Sequence, residues 1–245
     1  MMKYAKRLLV FSILTIIAIA FVALALPLFL LCLFGLFNTV RVALHNIAGW
    51  WTAVIIKMSG AKVHVEGAGN IPKEGPLCFI SNHSGIFDIV LCIRFITRPF
   101  GFIAKKELLL IPFLNLWIVF LGGLFLERKN PRKALKTLDK GAQRIKKGGA
   151  MIIFPEGSRS KGKGLLPFKS GAFKLAAESG AVIIPVAITG SYDVFEKTGF
   201  INPAEVWISF GKPISQEGIE RRGVRQSLAN ASRVAIEKLL AEQAA

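Results

Sequence analysis

The chain has 245 residues, 53% of them hydrophobic, and its 32 Lys and Arg against 15 Asp and Glu give it a formal net charge of +17 at pH 7. A chain this apolar buries a core, which excludes a disordered protein, and the counts of 3 Cys, 23 Gly and 11 Pro exclude a disulfide scaffold and a collagen. The charge fits acidic small molecules, nucleic acid or an anionic membrane surface, but only a membrane partner also accounts for the mean hydropathy of +0.51.

The N-terminal part of the chain is a long apolar segment. Residues 8–40, which are 33 positions, carry no charge, and as a helix they would measure about 50 Å, against about 30 Å for the hydrocarbon core of a bilayer. The segment is too long for a signal peptide, and Pro27 divides it. A second apolar stretch, residues 42–56, contains two adjacent tryptophans and ends at Lys57, which is the composition of a membrane interface.

Positive charge on both sides of the apolar segment predicts its topology. Basic residues precede residue 8 and dominate the chain after Lys57, and the positive-inside rule places both groups on the cytoplasmic side. We therefore predict that residues 1–57 form a hydrophobic helical hairpin anchored in the cell (inner) membrane, and that residues 58–245 form a domain on its cytoplasmic face. A single tilted span is one alternative, and a helix packed on the folded domain is the alternative for residues 42–56.

Beyond residue 61, short apolar runs alternate with amphipathic segments. Strands are predicted at residues 63–65, 76–80, 100–104, 122–126, 150–154, 182–188 and 206–210, and helices at 86–95, 131–147, 169–178 and from about residue 218 onward. This alternation predicts an α/β domain with helices packed on a sheet. Pro185 interrupts the apolar run 182–188, which predicts an edge or bulge position for it.

The helix predicted at residues 131–147 has two contrasting faces. An apolar stripe of Leu135, Leu138, Ala142 and Ile145 lies opposite a basic stripe of Arg132, Lys136, Lys140 and Arg144. The apolar spacing predicts contact with the core. The basic stripe is interpreted either as a contact with anionic headgroups or as an ordinary solvated face.

The three cysteines, Cys32, Cys78 and Cys92, each lie in an apolar run. We interpret them as buried, reduced thiols. No pair of them, and no cluster of His, Cys and carboxylates, has the spacing of metal ligands. Neither a metal nor another cofactor is therefore predicted.

The segment from Asn82 to Asp88 is the first with catalytic character. His83 lies at a predicted strand-to-helix junction, where α/β proteins place chemistry. If Asp88 lies in the first helical turn, its carboxylate can accept the Nδ1 proton of His83 and leave Nε2 as a base. A helix-capping His with a solvated Asp is the alternative that the spacing leaves open.

Two further segments end strands in charged residues. Residues 122–128 form an apolar run that ends in Glu and Arg, and Arg128 suits a phosphate. Residues 154–160 contain Gly157, which permits close backbone approach, and Arg159, which suits an anionic ligand. An ordinary strand-end charge and a basic turn in water are the respective alternatives.

In this order and spacing, the segments resemble the glycerolipid acyltransferases, specifically the bacterial 1-acyl-sn-glycerol-3-phosphate acyltransferases, over about residues 60–215. The first family motif, HX4D, matches His83 and Asp88, and the second, an apolar strand ending in Arg, matches residues 122–128. The third, FPEGTRS, matches residues 154–160 with Ser158 in place of Thr. The fourth, an apolar strand containing Pro, matches residues 182–188. The resemblance implies a mixed sheet flanked by helices, and the N-terminal hairpin also fits it.

The resemblance also implies an activity. The family transfers an acyl group from acyl-CoA or acyl-carrier protein to the sn-2 hydroxyl of lysophosphatidic acid and so forms phosphatidic acid in phospholipid biosynthesis. His83 would be the general base and Asp88 would orient it. The residues expected around the substrate phosphate are Arg128, Glu156, Gly157, Arg159 and, as our addition near the end of its strand, Lys105. Glu156 would orient these groups or the glycerol.

Other interpretations stay open. Glycerol-3-phosphate, another lysophospholipid or a lyso-aminolipid would use the same HX4D chemistry. A covalent acyl-enzyme on Ser84 is the mechanistic alternative, although no G-x-S-x-G elbow is present. From another class, the chain could be a non-catalytic, basic membrane-binding protein, whereas no RRM, zinc-finger or helix-turn-helix pattern indicates nucleic acid.

Overall fold

The structure is a computed structural model that describes residues 36–111, 114–219 and 223–244, together with the isolated positions 12, 15, 19 and 23. The first arm of the predicted hairpin therefore lies almost entirely outside the described residues. Within the part of the chain that is described, no helix combines the length and the apolar composition needed to cross a membrane.

A seven-stranded mixed sheet forms the centre of the domain. The strands are β1 (Lys62–Glu66), β2 (Leu77–Ser81), β3 (Phe100–Lys105), β4 (Leu124–Leu126), β5 (Ala150–Ile153), β6 (Val182–Thr189) and β7 (Glu205–Phe210). Their order across the sheet is β1-β7-β6-β2-β5-β3-β4. The five strands from β6 to β4 are parallel, whereas β7 runs antiparallel to β6 and parallel to β1. The predicted α/β class and mixed sheet are confirmed.

Helices cover both faces of this sheet. They are α1 (Phe37–Ser59), α2 (Phe87–Phe95), α3 (Leu114–Phe120), α4 (Pro131–Lys146), α5 (Lys174–Ser179), α6 (Ser191–Val194) and α7 (Val224–Gln243), with 3-10 turns at Ala68–Asn70, Lys106–Leu110 and Ser170–Phe173. The helix predicted at 169–178 begins as a 3-10 turn. The C-terminal helix begins at Val224 rather than near residue 218, because Gly218 and Gly223 have φ values of 76° and 92°, outside the helical region.

Alternation along β2 shows why both faces are covered. Leu77 and Phe79 point into a cluster packed against α1, α2 and α6, while Cys78 and Ile80 point into a second cluster packed against α4, α5 and α7. All four side chains are fully buried. A parallel strand buried on both sides is expected to be apolar throughout, as this one is.

Two of the three cysteines belong to this core. Cys78 and Cys92 are buried and free, which confirms the interpretation as reduced thiols for these two. Burial raises the pKa of Cys78 to about 12, because a thiolate would lose its hydration there. Cys32 lies outside the described residues.

The second apolar stretch, residues 42–56, belongs to α1 and packs along α2. Ile55 and Ile56 pack against the core cluster on that face of the sheet. The opposite side of the helix exposes Val42 and Trp50, the latter by 62%. The structure thus shows the alternative of a helix packed on the folded domain, whereas the division of the chain at residue 57 stays a prediction.

The apolar stripe predicted for α4 is only partly correct. Ala142 and Ile145 are buried and Leu138 packs against the core, but Leu135 is 46% exposed. The neighbouring strand β4 is an edge strand of 3 residues and covers little of the helix. On the basic stripe, Arg144 donates to the carbonyl oxygen of Gly122 at 2.7 Å, so it is tied into the fold.

The expectation of an edge position for Pro185 is wrong, because β6 lies between β7 and β2. The bulge expectation is met on the β7 side. Between the pairs Val186–Phe210 and Ile183–Ile214, β6 contributes two residues and the opposite segment three. The missing N–H of proline therefore faces an interrupted ladder, while its carbonyl oxygen still accepts from Gly211 N–H at 2.8 Å.

Close approach of backbone segments makes Gly101 a stringent position. A Cβ added there would overlap the carbonyl oxygen of Gly122, so Gly101→Ala should lower the free energy of unfolding by about 1–3 kcal/mol. Gly69→Ala is the matched control, since nothing lies within 4 Å of its added Cβ, and it should change stability by less than about 0.5 kcal/mol. Equal effects of the two variants in denaturant titrations would contradict the close approach.

Candidate active site

The charged motif residues gather at one edge of the sheet. Because β2, β5, β3 and β4 are parallel, their carboxyl ends face the same side. His83 follows β2, Glu156 follows β5, Lys105 ends β3 and Arg128 follows β4. In open α/β sheets this edge is where ligands bind, so the structure makes it the candidate active site.

Asp88 and His83 are in direct contact. The Nδ1 atom of His83 lies 2.7 Å from Oδ2 of Asp88, which is fully buried in the first turn of α2. The same oxygen accepts the backbone N–H groups of Ser84 at 2.7 Å and Gly85 at 3.0 Å. An ionised carboxylate only accepts, so Nδ1 of His83 carries the proton and Nε2 keeps a free lone pair. The arrangement suits a general base.

A ring contact fixes the orientation of the His83 side chain. Its imidazole stacks on the ring of Phe154, with centroids 4.1 Å apart and planes 24° apart. The side chain stays 18% exposed, so the imidazole is positioned by its neighbours while remaining accessible to a substrate. The stacking and the Asp88 hydrogen bond together favour the observed orientation of the ring.

Glu156 supports the turn that carries His83. Its side chain is buried, its Oε1 accepts the backbone N–H of His83 at 2.7 Å, and its Oε2 accepts that of Leu166 at 3.2 Å. Burial raises the pKa of Glu156, although the two N–H donors partly oppose this. Both oxygens contact backbone donors and neither contacts Arg128 or Arg159, so the orientation of the arginines or the glycerol by Glu156 stays a prediction.

The loop after Glu156 brings the third motif beside the first. Ser160 and Lys161 donate backbone hydrogen bonds to the carbonyl oxygens of His83 and Ser84, at 2.7 and 3.2 Å. This pairing of two loops places Arg159, which lies between Glu156 and Ser160, next to the His83 turn. Two loops that sit 73 residues apart in sequence are thereby held as one unit.

The residues expected around a phosphate occupy different positions at this edge. Arg128 is exposed and donates to the carbonyl oxygen of Gly157, whose φ of 73° is in the left-handed region. Arg159 is 42% exposed and pairs with Glu196. Lys105 is exposed at the end of β3, where it pairs in register with Leu126, and its side chain forms no hydrogen bond or ion pair with the other predicted site residues.

Sequence reasoning missed two residues of the site. The buried side-chain amide of Asn82 pairs with both the N–H and the carbonyl of Ile188, each at 2.8 Å, and so joins the end of β2 to β6 as a ladder would. Glu196 accepts the backbone N–H of Ile86 at 2.6 Å and pairs with Arg159. Asn82 stands in the first motif, but no sequence pattern marks Glu196.

The raised pKa of Glu156 predicts a pH dependence of stability. The folded state holds this proton more tightly than the unfolded state, so the contribution of Glu156 is complete below its ordinary pKa near 4.5 and declines as pH rises through the raised pKa. Glu156→Gln removes the titration. The free energy of unfolding of wild type, taken relative to that of Glu156→Gln, should therefore decrease as the pH rises over this range.

Denaturant titrations from about pH 4 to pH 8 measure that difference. Glu217→Gln is the control, because this exposed carboxylate has no ion pair among the described residues. A Glu156→Gln difference that does not change with pH would contradict the assignment. A constant offset is expected in addition, since the amide places an NH₂ group against one of the two backbone donors.

Comparisons with known proteins bear on this site. A sequence model of the family described as acyltransferase matches residues 62–189. The chain is 31% identical over 198 residues to the 1-acyl-sn-glycerol-3-phosphate acyltransferase of Haemophilus influenzae, with 80% of this chain and 82% of that protein covered. It is 32% identical over 173 residues to a chloroplastic protein of the same name from Arabidopsis thaliana, with 69% of this chain and 48% of that protein covered.

A solved structure agrees with these sequence matches. The crystal structure of the 1-acyl-sn-glycerophosphate acyltransferase PlsC from Thermotoga maritima superimposes with a TM-score of 0.71 at 28% identity, and 83% of each chain is covered. The chain spans about half the length of the chloroplastic relatives that it matches, 48% and 50% of them. Residues 62–189, which the family model matches, contain all four sequence motifs.

Proposed function

The chain belongs to the acyltransferase family, and on that premise we propose that it transfers a fatty acyl group from a thioester to the sn-2 hydroxyl of lysophosphatidic acid, forming phosphatidic acid. The observation that carries the proposal is the His83–Asp88 hydrogen bond of 2.7 Å at the carboxyl edge of the parallel strands. The names of the relatives give the acceptor, since each is a 1-acyl-sn-glycerol-3-phosphate acyltransferase.

The proposed chemical step uses the free lone pair of His83. Nε2 removes the proton from the sn-2 hydroxyl, and the oxygen attacks the thioester carbonyl carbon. The carbon–sulfur bond then breaks, and the leaving thiolate takes the proton back from the imidazolium. Asp88 holds the Nδ1 proton throughout and stabilises the transient positive charge of the ring.

Direct transfer in a complex of both substrates is favoured over an acyl-enzyme. Ser84 is adjacent to His83, but its backbone N–H is fixed by Asp88 as part of the turn, and the strand-to-helix connection has no nucleophile-elbow sequence. Direct attack by the acceptor hydroxyl needs only the base, whereas an acyl-enzyme would also need an activated serine nucleophile.

The phosphate of the acceptor is proposed to bind between Arg128 and Arg159. Both guanidinium groups are exposed at the edge that carries His83, and a planar guanidinium binds phosphate oxygens in pairs. Gly157 lies between them in the chain and accepts from Arg128. Lys105 is proposed as an additional cation at the end of β3.

We also propose how the enzyme meets its other partners. Acyl-CoA or acyl-carrier protein is the donor, and both are anionic, as is the membrane surface that the net charge of +17 would attract. The uncharged residues that precede α1 would enter one leaflet of the inner membrane from the cytoplasmic face, and α1, which packs on the domain, would lie at the membrane surface as the return arm. No cofactor beyond the acyl donor is proposed.

Removal of the imidazole tests the general base. His83→Ala should lower kcat by about 10²–10⁴. The variant should lose some stability, because Asp88 loses one of its three donors, but it should still fold and unfold cooperatively. Ser84→Ala is the matched control and should retain activity, because its backbone N–H still reaches Asp88. The assay uses purified full chain with lysophosphatidic acid and either thioester donor. More than about 5% residual activity in His83→Ala would contradict the assignment.

Removal of the guanidinium groups tests phosphate binding. Arg128→Gln and Arg159→Gln should each raise the KM for lysophosphatidic acid about 10- to 100-fold, as expected for a lost charge-assisted hydrogen bond of about 1.5–3 kcal/mol. Lys129→Gln is the control, because this exposed lysine has no ion pair among the described residues. An equal loss of activity toward a monoacylglycerol, which lacks phosphate, would contradict the role.

A further inference from the structure

Lys169 brings a further cation to the loop that carries Gly157, although it belongs to none of the four motifs. Its backbone N–H donates to the carbonyl oxygen of Pro155 at 3.0 Å. Its own carbonyl oxygen accepts from Ala172 N–H at 2.9 Å, at the start of the 3-10 turn Ser170–Phe173. Hydrogen bonds on both sides of the residue therefore fix the point at which its side chain leaves the backbone, next to the segment that follows β5.

The side chain of Lys169 lies across the turn at Gly157. A Cβ added to this glycine would lie 2.9 Å from Nζ, 3.4 Å from Cε and 3.5 Å from Cδ of the lysine. The ammonium group is thus in contact with the turn, although the residue as a whole stays exposed to solvent. Since Gly157 also has a φ of 73°, which residues with a side chain rarely adopt, the contact with Lys169 supplies a second reason for glycine at this position.

Gly157 brings this lysine together with Arg128. The carbonyl oxygen of Gly157 accepts from the guanidinium of Arg128, while the Lys169 side chain covers its Cα. Arg159, the other cation of the proposed phosphate site, pairs with Glu196. In the part of the chain that the structure describes, the ammonium group of Lys169 has neither a hydrogen-bond acceptor nor a carboxylate partner. Its three N–H donors are therefore available to a bound anion.

The turn at Gly157 also lies close to the proposed general base. Glu156, the preceding residue, accepts the backbone N–H of His83 at 2.7 Å. In lysophosphatidic acid the phosphate is attached to the carbon next to the one that carries the sn-2 hydroxyl, so the phosphate has to bind near Nε2 when that hydroxyl reaches it. In a CoA donor, the pantetheine arm separates the thioester from the phosphate groups. The turn therefore suits the phosphate of the acceptor better than a phosphate of the donor.

We propose that Lys169 binds the phosphate of the acceptor together with Arg128, with the Gly157 turn between them. The inference rests on the proposed function, because it names a further binding residue for the same acceptor. A phosphate monoester carries about −1.5 to −2 charges at pH 7, so one arginine leaves part of this charge unbalanced. Because Glu196 offsets the charge of Arg159, Lys169 supplies the second positive charge. Its ammonium group acts as a compact point charge beside the paired donors of the guanidinium.

Removal of the ammonium group tests this role. Lys169→Gln changes an exposed side chain and should leave the fold intact. We expect the KM for 1-hexanoyl lysophosphatidic acid to rise about 10- to 100-fold, as for the loss of one charge-assisted hydrogen bond, while the KM for acyl-CoA stays within about twofold of wild type. Lys169→Arg keeps the charge and should restore most of the loss. Lys212→Gln is the matched control, because it removes the same charge from an exposed lysine after β7, at the opposite edge of the sheet.

Binding without a donor separates this inference from the proposed reaction. Calorimetric titration of 1-hexanoyl lysophosphatidic acid and of 1-hexanoylglycerol into the full chain, with no thioester present, measures headgroup binding without turnover. Lys169→Gln should weaken binding of the phosphate lipid about 10- to 100-fold and leave binding of the neutral lipid unchanged. If the wild-type chain transfers no acyl group but its two lipids show this difference, the proposed reaction is refuted and the phosphate-binding role of Lys169 stands.

Other outcomes would overturn the role of Lys169 even if the chain is an active acyltransferase. An unchanged KM and affinity for lysophosphatidic acid in Lys169→Gln would show that the ammonium group does not contact the headgroup. A higher KM for acyl-CoA alone would assign the lysine to the donor. An equal loss of binding of the phosphate and neutral lipids would leave it as a support of the turn, and an equal effect of Lys212→Gln would assign the result to net charge.

Discussion

The site depends on one carboxylate oxygen. Oδ2 of Asp88 accepts from the imidazole of His83 and from the backbone N–H groups of Ser84 and Gly85. The atom that orients the imidazole is therefore also the atom that folds the turn. Burying a polar group is costly unless donors pair with it, and opening the turn would remove two of the three donors to this oxygen, the N–H groups of Ser84 and Gly85. The geometry of the candidate site and the folding of the turn therefore depend on the same set of hydrogen bonds.

The rest of the edge is built on that turn from neighbouring strands. Glu156 reaches it from the end of β5, Asn82 ties its start to β6, and Glu196 reaches it from the segment after β6. Each contact joins a side chain to backbone groups that strand pairing leaves unsatisfied at the carboxyl ends. The parallel sheet brings these ends together, and the polar side chains then satisfy them.

Local patterns were enough to predict the strands, as the apolar run at residues 76–80 did for β2. The contact between Asp88 and His83 was predicted by the resemblance of the HX4D motif to the acyltransferase family, because the spacing alone left a helix-capping His with a solvated Asp open. Pro185 shows where a local rule is insufficient: proline disfavours a regular ladder, but only the antiparallel return of β7 supplies an irregular neighbour inside the sheet. Strand direction is a tertiary property that periodicity does not encode.

The difference between local pattern and tertiary arrangement also explains the residues that the sequence did not indicate. Glu196 lies 110 positions from Ile86, and neither segment has a feature that requires the other. Leu135 has the helical spacing of a core residue but faces an edge strand too short to cover it. The contact of Glu196 and the exposure of Leu135 both depend on which element lies next to them in space. Hydrophobic periodicity does not predict which elements are neighbours.

The burial of the two described cysteines has a chemical consequence for the proposed transfer of an acyl group from a thioester. A thiolate attacks a thioester readily, and a surface cysteine beside the site would compete with the acceptor for the acyl chain. Cys78 lies in the strand that leads to His83, yet its sulfur is fully buried and its pKa is raised to about 12. Burial in the core therefore keeps these two thiols from being acylated by the proposed thioester donor.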